Sequence, residues 1–487
     1  MFKQFLKAQG GNFASFAALA SLPLILAGGV ALDYTRYLSA EKHLQDVADA
    51  AALAIAASDG EDESELRALA EKYVSGNHSE SRIQDLLVAS LDIGEDQVDL
   101  ELKGRLKTTF MGIVRYDWLD VSASSLAVRA VTGSVELALV LDNTWSMSEK
   151  DSYGVTKITT LKKAAGALVT ELMSNPKADV SIGLVPYADY VNVGTKYRNE
   201  SWLSVPADYD VEPKPKVCEI KDVTSTPCLA YAPKYSCTTY VDGVAQASTC
   251  GGQCTQNGTP VTTKKEVCSG GGSVTKYRWY GCIGSRMSGT TRLNDGSPAV
   301  TYPGYVETSQ KCLNPIVPLS KDKASLTSAI DGMIINISSY KPYTYIPAGM
   351  IWGVNLLSPT APFKEAGAYD VKNIAPRKAI VLMTDGENTL RVNSGNGRHA
   401  SLSSTAATAA TQLAQTNADT KAICDYAKTN KIEIFSVAFM VDNSDAKGIL
   451  EYCATDAEHY FDASDPDKLM AAFSGIARSL SQVRLAR

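Results

Sequence analysis

Residues 13–32 read FASFAALASLPLILAGGVAL, twenty positions without a charge. No other feature narrows the fold as much. Backbone placed in hydrocarbon must satisfy its own hydrogen bonds, so a run like this is a helix. At about 1.5 Å per residue it is long enough to cross a hydrocarbon core of about 30 Å. Lys3 and Lys7 precede it, and no acid occurs before it. That basic flank predicts a cytoplasmic leader at 1–12, a membrane anchor at 13–32 and export of everything after Leu32. A cleaved signal peptide is the competing reading. Its apolar region usually runs about 7–15 residues and ends near a small-x-small site. Here Asp33, Tyr34 and Arg36 follow instead, which predicts a retained span. Pro23 and Gly28–Gly29 are tolerated in such a helix where another helix packs against them.

Export gives the cysteines a meaning. Eight of the ten lie between Cys218 and Cys312, in a stretch rich in Gly, Ser and Thr. An even, clustered set in an oxidising compartment predicts disulfides. Zinc is the rival: Cys250 and Cys254 are close, but neither a second close pair nor a nearby His completes a tetrahedral set. Connectivity stays open, since eight cysteines allow 105 pairings. The remaining two, Cys424 and Cys453, fall on helices either side of the strand-like IEIFSVAFM and are expected to pair; two buried free thiols are the alternative. A net charge of −6 gives no reason to expect nucleic acid as a partner.

The chain of 487 residues is too long for one core. After the anchor, residues 33–58 form an amphipathic helix. Tyr37, Ala40, Leu44, Val47, Ala51 and Ala54 make a seam with 3-4 spacing. The seam serves either a helix packed on its own domain or a self-associating stalk. Residues 59–133 read as a small membrane-proximal α+β region. It opens with the acidic, solvated DGEDESE and includes an alternating VDLELKGRL strand. It holds no catalytic constellation, and its one histidine, His78, reads as a surface residue.

From residue 134 to 487 the pattern changes. VELALVLD is continuously apolar, as in a strand buried on both faces. Helix-like and strand-like runs then alternate, which predicts an α/β domain: a doubly wound, mostly parallel sheet with helices on both sides. A cysteine-rich insertion at 190–318 interrupts it. In such sheets ligands bind at the carboxyl ends of the strands. Asp142 stands at one such end, with Thr144 and Ser146 in the loop beyond it. Thr384 and Asp385 stand at another, and Thr344 lies in a loop before a further helix. Carboxylates and hydroxyls gathered this way suit Mg²⁺ (or Mn²⁺). Taken singly, each residue also fits a helix cap or a turn. Glu387 is the one acid close by that could serve as a base, and it reads as a surface residue. CSGGGS at 268–273 is not set between a strand and a helix, so it reads as linker rather than phosphate loop.

Two resemblances follow from these residues. The stretch from Gly10 through the span, Asp33-Tyr34-x-Arg36 and LQDVADAAALA resembles the start of TadE/TadG-like proteins of tight-adherence (Flp) pilus systems. Prepilin-like substrates carry Glu where this chain has Ser15 or Phe16, which points to the larger TadG-like member. Asp142-x-Thr144-x-Ser146, Thr344 and Asp385 resemble the metal-ion-dependent adhesion site of von Willebrand factor type A domains. Trp145 stands where Gly is common, and Tyr345 where Asn is common. The resemblance implies a Rossmann-like fold, a bound Mg²⁺ or Mn²⁺, and a protein partner offering a carboxylate to it. It further implies a non-enzymatic component of the bacterial inner membrane, its bulk in the periplasm or at the cell surface. Its partners would be pilus or secretion apparatus subunits. An independent surface adhesin, using the metal site or the insertion, is the second expectation.

Overall fold

The computed structural model describes residues 11–58, 62–77, 83–94, 97–128, 134–174, 178–287, 289–296, 299–374, 376–481 and 484–485. Lys3, Lys7, His78 and the start of the acidic stretch, on which expectations above rest, lie outside them. The chain divides into two units, residues 1–133 with 481–487, and residues 134–480.

The first unit is built on one long helix, α1 (Gly11–Ala56), followed by α2 (Glu63–Asn77) and strands β1 (Gln84–Ile93), β2 (Gln97–Lys107) and β3 (Trp118–Val128). The three strands pair antiparallel in order, and Arg484–Leu485 adds to β3. Helix α1 is long and apolar enough to cross a membrane. Its early side chains are bare: Phe16 and Leu19 are each 74% exposed. From Ala40 onward the same helix is buried along one stripe. Ala40, Leu44, Val47, Ala48, Ala51, Ala52 and Ile55 pack with the inward residues of β2, Val98, Leu100, Leu102 and Leu106. The seam is therefore used inside the unit. It also runs on to Ile55 and Ala56 rather than ending on Ala54, drifting with the 3.6-residue period of a straight helix instead of the 3.5 of a coiled coil.

Asp33 marks the change from bare to buried. Its carboxylate accepts the backbone N–H groups of Thr109 (2.9 Å), Phe110 (2.7 Å) and Met111 (2.8 Å). One helix turn earlier, Gly29 lies under Phe110, where a Cβ would come within 2.6 Å of the side chain. Glycine is what lets the loop approach.

The second unit contains, in chain order, β4 (Val135–Asp142), α3 (Lys157–Leu172), β5 (Val180–Tyr187), a hairpin of β6 (Tyr235–Val241) and β7 (Val244–Cys250), and β8 (Val317–Ser320). It continues with α4 (Lys323–Asp331), α5 (Ile346–Leu357), β9 (Arg377–Thr384), α6 (Ala406–Thr429), β10 (Glu433–Phe439), α7 (Ser444–Cys453), β11 (Tyr460–Ala463) and α8 (Pro466–Ser481). The main sheet has the order β8-β5-β4-β9-β10-β11. All its pairs are parallel except the edge strand β8. Every residue of β4 and β9 is buried, because both faces of the sheet are covered. One face packs Ala138 and Val140 with α5, α6 and α7; the other packs Leu137, Leu139 and Leu141 with α3, α4 and α8.

The insertion is less uniform than its composition suggests. Its ends belong to the core: Trp202, Trp279 and Tyr302 pack with α5. Between Leu203 and Trp279 the structure is an arm of two-stranded ladders with no apolar core. Cys218–Cys268, Cys228–Cys254 and Cys237–Cys250 staple it, and Cys282–Cys312 closes its base. Cys424–Cys453 joins α6 to α7, as expected from the sequence. All ten cysteines are paired, which leaves no thiolate for zinc.

Candidate metal centre

Strand β4 ends on Asp142, and β9 ends on Thr384 with Asp385 next. The helix after β4 lies on one face of the sheet and the helix after β9 on the other. Chains that diverge this way leave a crevice between neighbouring strand ends, where α/β sheets bind ligands. The candidate residues stand at these two strand ends and in the loops beside them.

Asp142 is fully buried and accepts from Thr384 Oγ1 (2.7 Å) and the Thr144 N–H (2.8 Å). Thr144 Oγ1 and Ser146 Oγ lie 2.8 Å apart, and Ser146 Oγ donates to Asp385 Oδ1 at 2.6 Å. The hydroxyl of Thr144 thus caps no helix. Thr344 is held by Thr389, whose hydroxyl accepts its N–H at 3.0 Å. Thr344 Oγ1 reaches the others through a residue the sequence reading did not single out, Asp242. That carboxylate accepts from Thr344 Oγ1 (3.3 Å) with one oxygen and from the Ser146 N–H (3.0 Å) with the other. All five expected residues therefore converge, though Asp142 and Asp385 stand 243 positions apart in the chain.

Asp242 sits at the tip of the β6–β7 hairpin, and Asp242 and Gly243 both have positive φ (50° and 77°). An Asp-Gly pair is a familiar hairpin turn, so local chemistry explains it fully and gives no hint of the distant contact. Lys157 was missed as well. Its ammonium donates to Asp385 Oδ2 (3.1 Å) and Glu149 Oε2 (2.8 Å). A buried lysine in the first turn of a helix opposes the helix dipole, and that was the available signal. Glu387 is turned elsewhere and accepts from Asn443 Nδ2 at 2.8 Å.

The electrostatics are lopsided. Burial, then the neighbouring charge of Asp385, pushes Asp142 up to about 7. Burial likewise raises Asp385, against the pull of Lys157. Burial raises Asp242 to about 6, with the Ser146 N–H opposing and Asp385 adding. Among the described residues, neither Asp142 nor Asp242 has an ion-pair partner. Of the three buried carboxylates only Asp385 thus has a cation, Lys157, which Glu149 also engages. Hard oxygen donors with unbalanced negative charge fit a hard divalent cation. Nearby, Trp145 Nε1 and Asn143 Oδ1 are buried without a hydrogen-bond partner, and the Lys341 ammonium lies 4.1 Å from the Trp145 ring centre.

Comparison with known proteins adds an independent finding. No curated protein matches the chain. Among solved structures, it is similar to the pilus adhesin SpaC from Lactobacillus rhamnosus GG (11% identity, TM-score 0.35, 82% of this chain and 35% of that one). The chain thus spans about a third of the length of that adhesin. It is similar to the vWF domain of the type V pili tip protein Mfa5 from Porphyromonas gingivalis (11% identity, TM-score 0.34, 72% and 95%). A third similarity is to the adhesive tip pilin GBS104 from Group B Streptococcus agalactiae (12% identity, TM-score 0.34, 72% and 100%). Residues 11–59 match the family model described as "Putative Flp pilus-assembly TadE/G-like". They cover the apolar span, the Asp33 anchor and the buried stripe of α1, so the amino-terminal segment of this chain is TadE/G-like.

Proposed function

We propose that the chain is a membrane-anchored component of a Flp-type pilus or secretion apparatus. Its second unit is read as a von Willebrand factor type A domain, a doubly wound sheet that grips other proteins through a metal. The observation that carries the reading is the convergence of Asp142, Thr144, Ser146, Thr344 and Asp385 at the strand ends. These residues would hold Mg²⁺ or Mn²⁺, and the bound ion would supply an electrophilic position for a partner's carboxylate. The chain does the rest. Thr384 and the Thr144 N–H hold Asp142 in place, Ser146 orients Asp385, and Lys157 opposes the burial that raises Asp385. The Asp385 and Asp142 carboxylates would be committed to the ion, which favours binding over hydrolysis. Asp142→Ala should abolish Mn²⁺ binding to the full-length protein while the fold survives. Calorimetry returning the wild-type affinity would end the metal reading.

The TadE/G-like segment supports a membrane-anchored protein, and the basic leader argues for a cytoplasmic N-terminus with everything after Leu32 exported. A periplasm-active reporter fused after Arg487 should be active, with the product retained in membranes after a high-salt wash. A soluble product starting beyond residue 32 would show the span to be a signal peptide. A second reading, a surface adhesin acting through the arm, is favoured by one observation. Tyr231, Tyr235 and Tyr240 on the arm are 62–69% exposed, as in aromatic contact surfaces.

A further inference from the structure

The arm presents an anomaly. Between Leu203 and Trp279 one residue is buried, and it is an acid, Asp242, 7% exposed. A segment that buries no apolar side chain has no hydrophobic reason to dock at all. Burying a lone carboxylate is unfavourable unless something there balances it. Hydrogen bonds from Ser146 and Thr344 balance it in part, and both donors belong to the candidate metal loops. The hairpin is also steadied at its flank. Lys341, stacked over Trp145, donates to Gln246 Oε1 on β7 at 2.8 Å. Cys237–Cys250 keeps the two strands together and the turn at their tip in place.

We propose that Asp242 is a ligand of the metal centre supplied by the chain itself, seated where a partner's carboxylate would bind, so that the arm caps the site. This rests on the metal reading above and deepens it: the partner must present an acidic side chain and displace the hairpin. The exchange is close to balanced, because one carboxylate replaces another. Little else resists it, since Tyr240, two residues from the tip, is 69% exposed and the strands bury no apolar face. Trp145 and Lys341 then act as a rim that admits either the hairpin or an acidic segment of the partner.

The test uses the full-length protein in detergent with Mn²⁺ as probe, comparing wild type, Asp242→Asn and Asp142→Ala. Asparagine tolerates the positive φ of the turn and keeps an acceptor for Ser146, so only the charge is lost. In wild type, Mn²⁺ should slow amide exchange both at residues 142–147 and at the hairpin tip, and excess acetate should restore exchange at the tip alone. In Asp242→Asn, Mn²⁺ should bind about tenfold or more weakly and leave the tip unprotected. Asp142→Ala should show neither effect. If wild type binds Mn²⁺ with no change at the tip, or Asp242→Asn binds it as tightly, Asp242 is not a ligand while the metal site stands. Tip protection that acetate cannot reverse would make Asp242 a permanent ligand and overturn the cap. If wild type binds no Mn²⁺, the metal reading and this one fall together.

Discussion

The two ends of the main sheet treat buried charge in opposite ways. At the amino ends of the strands, each buried carboxylate has its own cation. Glu136 on β4 takes Lys378, which also donates to the carbonyls of Leu357 and Gly367 at 2.8 Å each. Glu433 on β10 takes both Arg377 Nε (3.2 Å) and Nη2 (2.6 Å). At the carboxyl ends, Asp142, Asp385 and Asp242 lie close together and, among the described residues, only Asp385 has a cation, Lys157. Both ends are held by the same strands and are similarly buried, so depth does not explain the difference. Paired charge fixes register between β4, β9 and β10. Unpaired buried charge costs stability, and under the proposed function that cost is exchanged for binding.

The sharpest way to break this contrast is at the paired end. Lys378→Met keeps the length and removes the charge, leaving Glu136 buried beside two carbonyls that have lost their donor. Removing one partner of a buried pair typically destabilises by about 3–5 kcal/mol. Denaturant unfolding of the second unit should show a loss of that size, with or without Mn²⁺. A loss below about 1 kcal/mol would mean that water or a rearranged side chain compensates Glu136, and the contrast between the ends would weaken.

At the other end the prediction reverses. Asp142→Ala removes a carboxylate that faces a like charge, so metal-free stability should hold or rise. What should disappear is the metal-dependent part. A ligand at a hundred times its Kd stabilises the folded state by about 2.7 kcal/mol, and the variant should show none of it. Thermal unfolding with and without Mn²⁺ reads both quantities. A metal-free variant clearly less stable than wild type would make Asp142 a structural residue like Glu136.

The sequence showed this contrast only halfway. An apolar run closed by an acid marks a buried strand and its carboxyl end, so Asp142 and Asp385 could be placed from local pattern. Their convergence with Thr344 could be expected because parallel α/β topology brings such ends together. The span and the seam of α1 were both visible, yet their fusion into one helix depends on there being no breaker between Leu32 and Ala40, an absence easily passed over. Asp242 was illegible for a different reason. Its turn chemistry is satisfied locally, while its contact with Ser146 crosses 96 positions through an arm that has no hydrophobic pattern to trace. Lys157 shares that difficulty, since its role depends on Asp385, 228 positions away.

Asp33 in the first unit offers a third treatment of a buried carboxylate, and it sharpens what sets the candidate metal centre apart. Like Asp142 it is held mainly by uncharged donors, here three backbone N–H groups. Burial raises its pKa, but those N–H groups, with Arg36, outweigh burial and leave it below the usual value. Asp142 has comparable donors and ends up raised, because deeper burial, with the charge of Asp385 added to it, outweighs them. Deep burial beside a like charge, rather than a shortage of hydrogen bonds, is therefore what distinguishes these carboxylates. Asp33→Ala would strand the donors of Thr109, Phe110 and Met111 and should destabilise the first unit by about 1–2 kcal/mol. The sign with pH follows from the lowered pKa. The contribution of Asp33 is present above its unfolded pKa and is lost as pH falls through the lower folded value. Wild type and Asp33→Ala should therefore differ at neutral pH and converge in acid, as read by amide exchange of residues 109–111. A difference that persists unchanged below the carboxylate range would show that Asp33 holds the loop by shape alone.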